Sequence, residues 1–220
     1  MEIVSSVPSL LVGWVVLEGI QNWEPNDWLK DWVQAESKKA MSMDGLNESE
    51  QRRLAVRAML REGGFKPSGR SKPAQEYLMR CLREGEGLPS IFPAVDILNA
   101  TSVRTGLPIS LLQKDLFPGG RLEIRIGKPS ETFVFNSAGQ ELSLENLIVI
   151  CGGSDGQTPL GSPVKDSMAG KITKDHLDAV SILYGPKSNV SMGEMLRIAQ
   201  EFAENLVIGC SPKHISFGCL

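Results

Sequence analysis

Two glycines and a proline within one short run, Glu84-Gly-Glu-Gly-Leu-Pro89, divide this chain into stretches whose apolar residues recur at different periods. Before the run they mostly follow helical spacing; after it they mostly alternate or run continuously, as strands require. A helical layer that must bury its apolar stripe beside a sheet that must bury a face predicts an α/β chain, α+β in detail. The expected architecture is a mixed or mainly antiparallel sheet flanked by helices. Three segments follow: 1–87, an N-terminal strand plus helical layer; 88–186, a sheet-rich core; and 187–220, a C-terminal helix and tail. They are expected to form one compact unit.

Ser9 to Glu18 reads as a strand, its Leu-Leu-Val-Gly-Trp-Val-Val-Leu run so continuously apolar that both faces should be buried. Pro25-Asn26-Asp27 opens a helix to about Met41, with Trp28, Trp32 and Ala35 inward. Asn47 and Glu50 fit a capping box for a helix to about Arg61, with Leu54, Ala58 and Met59 inward and Arg52, Arg53 and Arg61 outward. Glu62-Gly63-Gly64 ends it. Ser71-Lys72-Pro73 starts another helix, which presents Leu78, Met79 and Leu82 on one face and stops at Gly85.

Beyond the break, Val95, Ile97 and Leu98 predict a short buried strand, followed by a turn rich in Asn, Ser and Thr and then by Gly106-Leu107-Pro108. Arg121 to Ile126 alternates strictly, with Glu131 to Phe135 and Leu147 to Cys151 as candidate partners. Gly152 to Pro159 is a turn-rich loop, and Ala179 to Tyr184 a last strand. Ser191 and Glu194 form a capping box for a helix with a buried stripe of Met195, Ile198, Ala199, Phe202 and Leu206, stopped by Gly209. Cys210 to Leu220 reads as a tail.

The ordered motifs resemble the editing module of the bacterial phenylalanyl-tRNA synthetase beta subunit, and its free-standing homologues more closely. The residues that carry the resemblance are Arg57, Gly64-Phe-Lys-Pro67, Pro73-Ala-Gln-Glu76, Val95-Asp-Ile-Leu-Asn99, Gly106-Leu-Pro108, Asp115 and Asp166-Ser167. No one of these motifs is specific; their order and spacing over about Arg57 to Tyr184 are. The resemblance implies a deacylase that clears a mischarged aminoacyl-tRNA in trans, with Asn99 and Asp166 as catalytic residues, Thr101, Ser110 and Ser167 binding substrate, and Arg57 and Arg70 touching tRNA. It implies no cofactor. A family histidine falls at or near Ser110 and is missing here.

Composition sets bounds on partners. With a net charge of −3, 41% hydrophobic and 22% charged residues, the chain lacks the footprint of a general nucleic-acid binder, so no DNA partner is expected. A local basic patch could form from Arg52, Arg53, Arg57, Arg61, Lys66, Arg70 and Lys72, or these could be a solvated helix face. Cys81, Cys151, Cys210 and Cys219 form no Cys-x-x-Cys, His176 and His214 do not pair, and no metal is expected. The apolar run ending at Glu18 is far short of the roughly 20 residues a membrane helix needs, and a cytoplasmic location is expected.

Gly152-Gly-Ser-Asp-Gly156 spells Gly-x-Ser-x-Gly, but no helix signal follows it as a nucleophile elbow requires, and no Walker loop is present, so acyl-serine and nucleotide chemistry find no template. An aminoacyl ester is already activated; its hydrolysis needs an oriented water more than a strong acid or base. Asp166 also fits ordinary turn chemistry, and Arg57 a salt bridge to the helix carrying Glu76. Two further functions stay open: a non-catalytic amino-acid or RNA-binding module that kept the fold, and a protein acting on a free amino-acid derivative.

Overall fold

Strands β1 (Glu2–Ser5) and β2 (Leu10–Glu18) follow each other closely yet enter different sheets. The computed structural model describes every residue except Arg70. β1 pairs in parallel with β4 (Arg121–Ile126), which continues antiparallel through β7 (Ile148–Gly152) to β8 (Thr158–Gly161). β2 lies between β10 (His214–Cys219) and β9 (Ala179–Pro186), and β3 (Ile109–Gln113) forms the far edge; this second sheet is antiparallel throughout. A hairpin of β5 (Thr132–Val134) and β6 (Glu141–Ser143) stands apart.

Alternation along β2 explains its continuous apolar sequence. Leu10, Val12 and Val16 join the core between the sheets, with Val180, Ile182 and Tyr184 of β9 and Leu122, Ile124 and Ile150 of the other sheet. Leu11, Val15 and Leu17 face the opposite way, into a core with helices α1 (Asp27–Ala40), α4 (Pro93–Thr105) and α5 (Met192–Cys210). Each fully buried Leu or Val side chain contributes about 1.5–3 kcal/mol against an exposed reference, so neither face of β2 can be spared. The α+β expectation holds, with one mixed and one antiparallel sheet.

α1 and α5 start where their caps require. Asn26 Oδ1 accepts from the Leu29 amide at 2.9 Å, and Ser191 Oγ from the Glu194 amide at 3.2 Å. The stripe from Met195 to Leu206 is buried as expected, but α5 runs through Gly209 to Cys210. Gly209 sits where a Cβ would collide with Ile97, so it serves close helix packing rather than termination. α3 (Ala74–Arg83) begins directly after Pro73.

Five expectations are corrected. The segment read as a strand at Val95–Leu98 is α4, which starts with Pro93 at its first turn and ends on Gly106 in the left-handed region at φ 67°. α2 (Met43–Glu62) starts one turn earlier than Asn47, because Ser42 Oγ accepts from the Gly45 amide at 3.1 Å. Its inward residues are Val56, Met59 and Leu60, whereas Leu54 and Ala58 are exposed. The tail from His214 is the ordered strand β10, and the segment 132–134 pairs with β6 rather than β4. Among the described residues no helix is long and apolar enough to cross a membrane.

Candidate functional site

α2, α3, α4 and the loop 162–165 enclose a cleft of about 1000 Å³. α4 supplies its floor. Val95 and Asn99 are one helical turn apart, so both reach the same face and line the cleft. Asp96, between them in sequence, does a different job. Its carboxylate accepts from the Ile91 amide at 2.7 Å and the Ser90 hydroxyl at 2.8 Å, fixing the entry to α4. Burial raises the Asp96 pKa against the pull of those bonds. Within the Val-Asp-x-x-Asn motif, the Asp therefore secures the helix and the Asn faces the cleft.

Asn99 is only 8% exposed, and its side-chain amide makes no hydrogen bond among the described residues. Across from it, Arg57 on α2 and Glu76 on α3 form a bidentate pair, with Nε to Oε1 and Nη2 to Oε2 both at 2.6 Å. The hydrogen bond to Glu76 raises the Arg57 pKa, so the guanidinium stays charged. Among the described residues, six cationic side chains line the cleft (Arg53, Arg57, Lys72, Arg80, Arg83 and Lys165) against two acidic ones, Glu50 and Glu76. Its wall is positive although the chain carries −3.

The basic cluster seen in the sequence is dispersed by pairing. Arg52 turns away, donating to Glu194 Oε1 at 2.6 Å and to the Asn189 carbonyl at 2.8 Å. Arg53 is held by Glu50 on its own helix at 2.8 Å through Nε. Arg70 lies outside the described residues.

Asp166 points away from the cleft. Its Oδ1 accepts from Ser110 Oγ at 2.6 Å and from the Ser162 amide at 3.4 Å; its Oδ2 accepts from the Leu111 amide at 3.3 Å. Ser110 Oγ also lies 2.8 Å from the Tyr184 hydroxyl, deep between the sheets. Burial pushes the Asp166 carboxyl up to about 6 and the Tyr184 phenol well above its ordinary range. Ser110 and Asp166 are thus brought together, but on the inner side of the loop whose outer side, at Val164 and Lys165, lines the cleft. The Lys165 ammonium stands 3.4 Å from the centre of the Phe135 ring.

The remaining candidates are also off the cleft. Thr101 is fully buried in α4, its Oγ1 unpaired among the described residues. Ser167 Oγ accepts from the Gly170 amide at 3.2 Å, as a turn residue does. Tyr184 and Gln75 were not singled out from the sequence. Tyr184 had a signal: a phenol inside an apolar strand needs a buried partner. Gln75 had only its place in the Pro-x-x-Glu motif. Among the described residues, no group of three or more His, Cys, Asp or Glu could hold a metal.

No family model matches the chain, and no curated protein does. Among solved structures it is similar to an N-terminal fragment of the phenylalanyl-tRNA synthetase beta-subunit from Pyrococcus horikoshii, at 12% identity and a TM-score of 0.45. That similarity covers 93% of this chain and 48% of the fragment, so the chain spans about half the length of its match. At that identity the likeness is one of fold alone.

Proposed function

We propose that this protein hydrolyses a mischarged aminoacyl-tRNA in trans, taking the terminal aminoacyl nucleotide into the cleft between α2, α3 and α4. One observation carries the reading: an unpaired Asn99 amide faces a positively walled cleft of about 1000 Å³. Small-ligand pockets run from about 300 to 1,000 Å³, so this one admits an aminoacyl nucleoside with its phosphate and excludes a folded partner. The cationic excess favours the phosphate, and the ordered motifs around Asn99 suggest the ester.

In this reading Asn99 is the catalytic residue, donating from its amide to the ester carbonyl oxygen as charge develops there. Water adds to the carbonyl carbon, the bond to the terminal ribose oxygen breaks, and that oxygen takes the proton. The products are free amino acid and uncharged tRNA. Asp166, Ser110 and Ser167 act as positioning residues behind the loop 162–165, and Thr101 as part of the frame of α4. Arg57 serves the tRNA end as part of the positive wall.

The test is deacylation of a panel of charged and mischarged tRNAs by the wild type and by Asn99→Ala. Hydrolysis of a mischarged species, reduced tenfold or more in the variant, is the expected result. A panel left intact by the wild type sinks the enzymatic reading. The other reading, a non-catalytic amino-acid or RNA-binding module, is favoured by Glu76 being fully engaged by Arg57, which removes a carboxylate of the cleft wall as a base. Salt-sensitive tRNA binding without turnover would select it.

A further inference from the structure

Among the described residues that line the cleft, Gln75 is the one whose two side-chain polar atoms are both buried and unpaired. It stands in the first turn of α3, 2% exposed, and lines the same cleft as Asn99. Among the described residues neither its Oε1 nor its Nε2 has a hydrogen-bond partner. Leaving a buried amide unpaired destabilises the fold, so an apolar residue of the same length would serve packing better. Its neighbours are fixed without its help: the Ala74 amide donates to the Pro163 carbonyl at 2.9 Å, and Glu76 is clamped by Arg57.

We propose that Gln75 is the specificity-determining residue of this cleft. Its amide recognises a neutral ligand group that both donates and accepts hydrogen bonds, a hydroxyl or a carboxamide, while the positive wall holds the ligand's phosphate. The proposal rests on the reading of the cleft as an aminoacyl-nucleotide site and names the side-chain class it takes. A site that hydrogen-bonds such a group rejects the apolar isostere strongly, because the isostere leaves the amide unpaired.

The test uses stable amide-linked aminoacyl-adenosine monophosphates in two isosteric pairs, threonyl against valyl and asparaginyl against leucyl, with AMP alone as a wall probe. Wild type, Gln75→Met and Gln75→Leu are compared by calorimetric binding and thermal unfolding. Wild type should prefer the polar member of at least one pair tenfold or more. Both variants should bring that ratio within threefold, leave AMP affinity unchanged, and raise the unliganded Tm by about 2–6 °C. Equal ratios in wild type and variants, or a fall in Tm with unchanged binding, would overturn the proposal and make Gln75 structural. Binding of neither AMP nor any conjugate by the wild type would overturn the site reading and this inference together; binding without pair discrimination overturns this inference alone.

Discussion

Ser110 on β3 donates its hydroxyl to Asp166 at 2.6 Å, joining the edge of the antiparallel sheet to the loop that walls the cleft. The contact spans 56 residues of sequence and continues to Tyr184 at 2.8 Å. Lys165 and Val164, which line the cleft, are held in place by what happens on the far side of their own backbone.

That carboxyl gives the fold a pH dependence. Burial raises the Asp166 pKa from the usual aspartate range to about 6, so the folded state binds the proton more tightly than the unfolded chain. The resulting stabilisation is complete below the unfolded pKa near 4 and is lost as pH rises through about 6, a change of roughly 3 kcal/mol for a two-unit shift. Urea denaturation from pH 4 to 7.5 should show wild-type stability falling over that window relative to Asp166→Asn. A flat difference would mean that the carboxyl titrates in its ordinary range.

Asn99 should behave oppositely to a structural asparagine. Its amide is bonded to nothing among the described residues, so Asn99→Ala should shift the unfolding free energy by less than about 1 kcal/mol. Ligand binding or turnover should fall tenfold or more. A large stability loss would show instead that the amide serves the fold.

The Arg57–Glu76 pair is 17% and 10% exposed at its side chains, close to an interior pair. Removing one partner strands the other charge, so Arg57→Met or Glu76→Leu alone should each cost about 3 kcal/mol. The double variant should cost clearly less than the sum. A double-mutant cycle by chemical denaturation measures the coupling, and additivity would show that the two groups are independently solvated.

Gly106 closes α4 with φ 67°, and a Cβ there would lie 2.8 Å from Cβ and Cγ of Arg52. Gly106→Ala should lose about 1–2 kcal/mol from the backbone conformation alone. It should also push Arg52 off Glu194. Thermal unfolding of Gly106→Ala beside Arg52→Ala separates the two effects: if the losses are equal, the arginine carries all of it.

Much of the architecture was legible because caps and alternation are local. Asn26 and Ser191 announce α1 and α5, and the unbroken apolar run of β2 announces a strand buried on both faces. α4 was misread because it lies among α1, α2, α3, α5 and β3, and residues from Pro93 to Val103 are nearly all buried. A helix buried on nearly every side shows no amphipathic period, and its Val95 and Ile97 mimic a strand. Pro93 and Gly106 were the better signal. At the site, Arg57 and Glu76 were legible as a pair because charge complementarity can be read from sequence. The inward turn of Asp166 was not, since it depends on how β3 meets a loop far along the chain.

The placement of β1 and β2 in different sheets has a consequence for how the chain matures. β1 needs β4, and β2 needs β9 and β10, all of which leave the ribosome after the helices α1 to α4. β1 and β2 must therefore remain without these partners until the later strands are made. Contacts of that separation close slowly and keep strand edges open meanwhile. For this fold, the hazard during synthesis lies in β1 and β2.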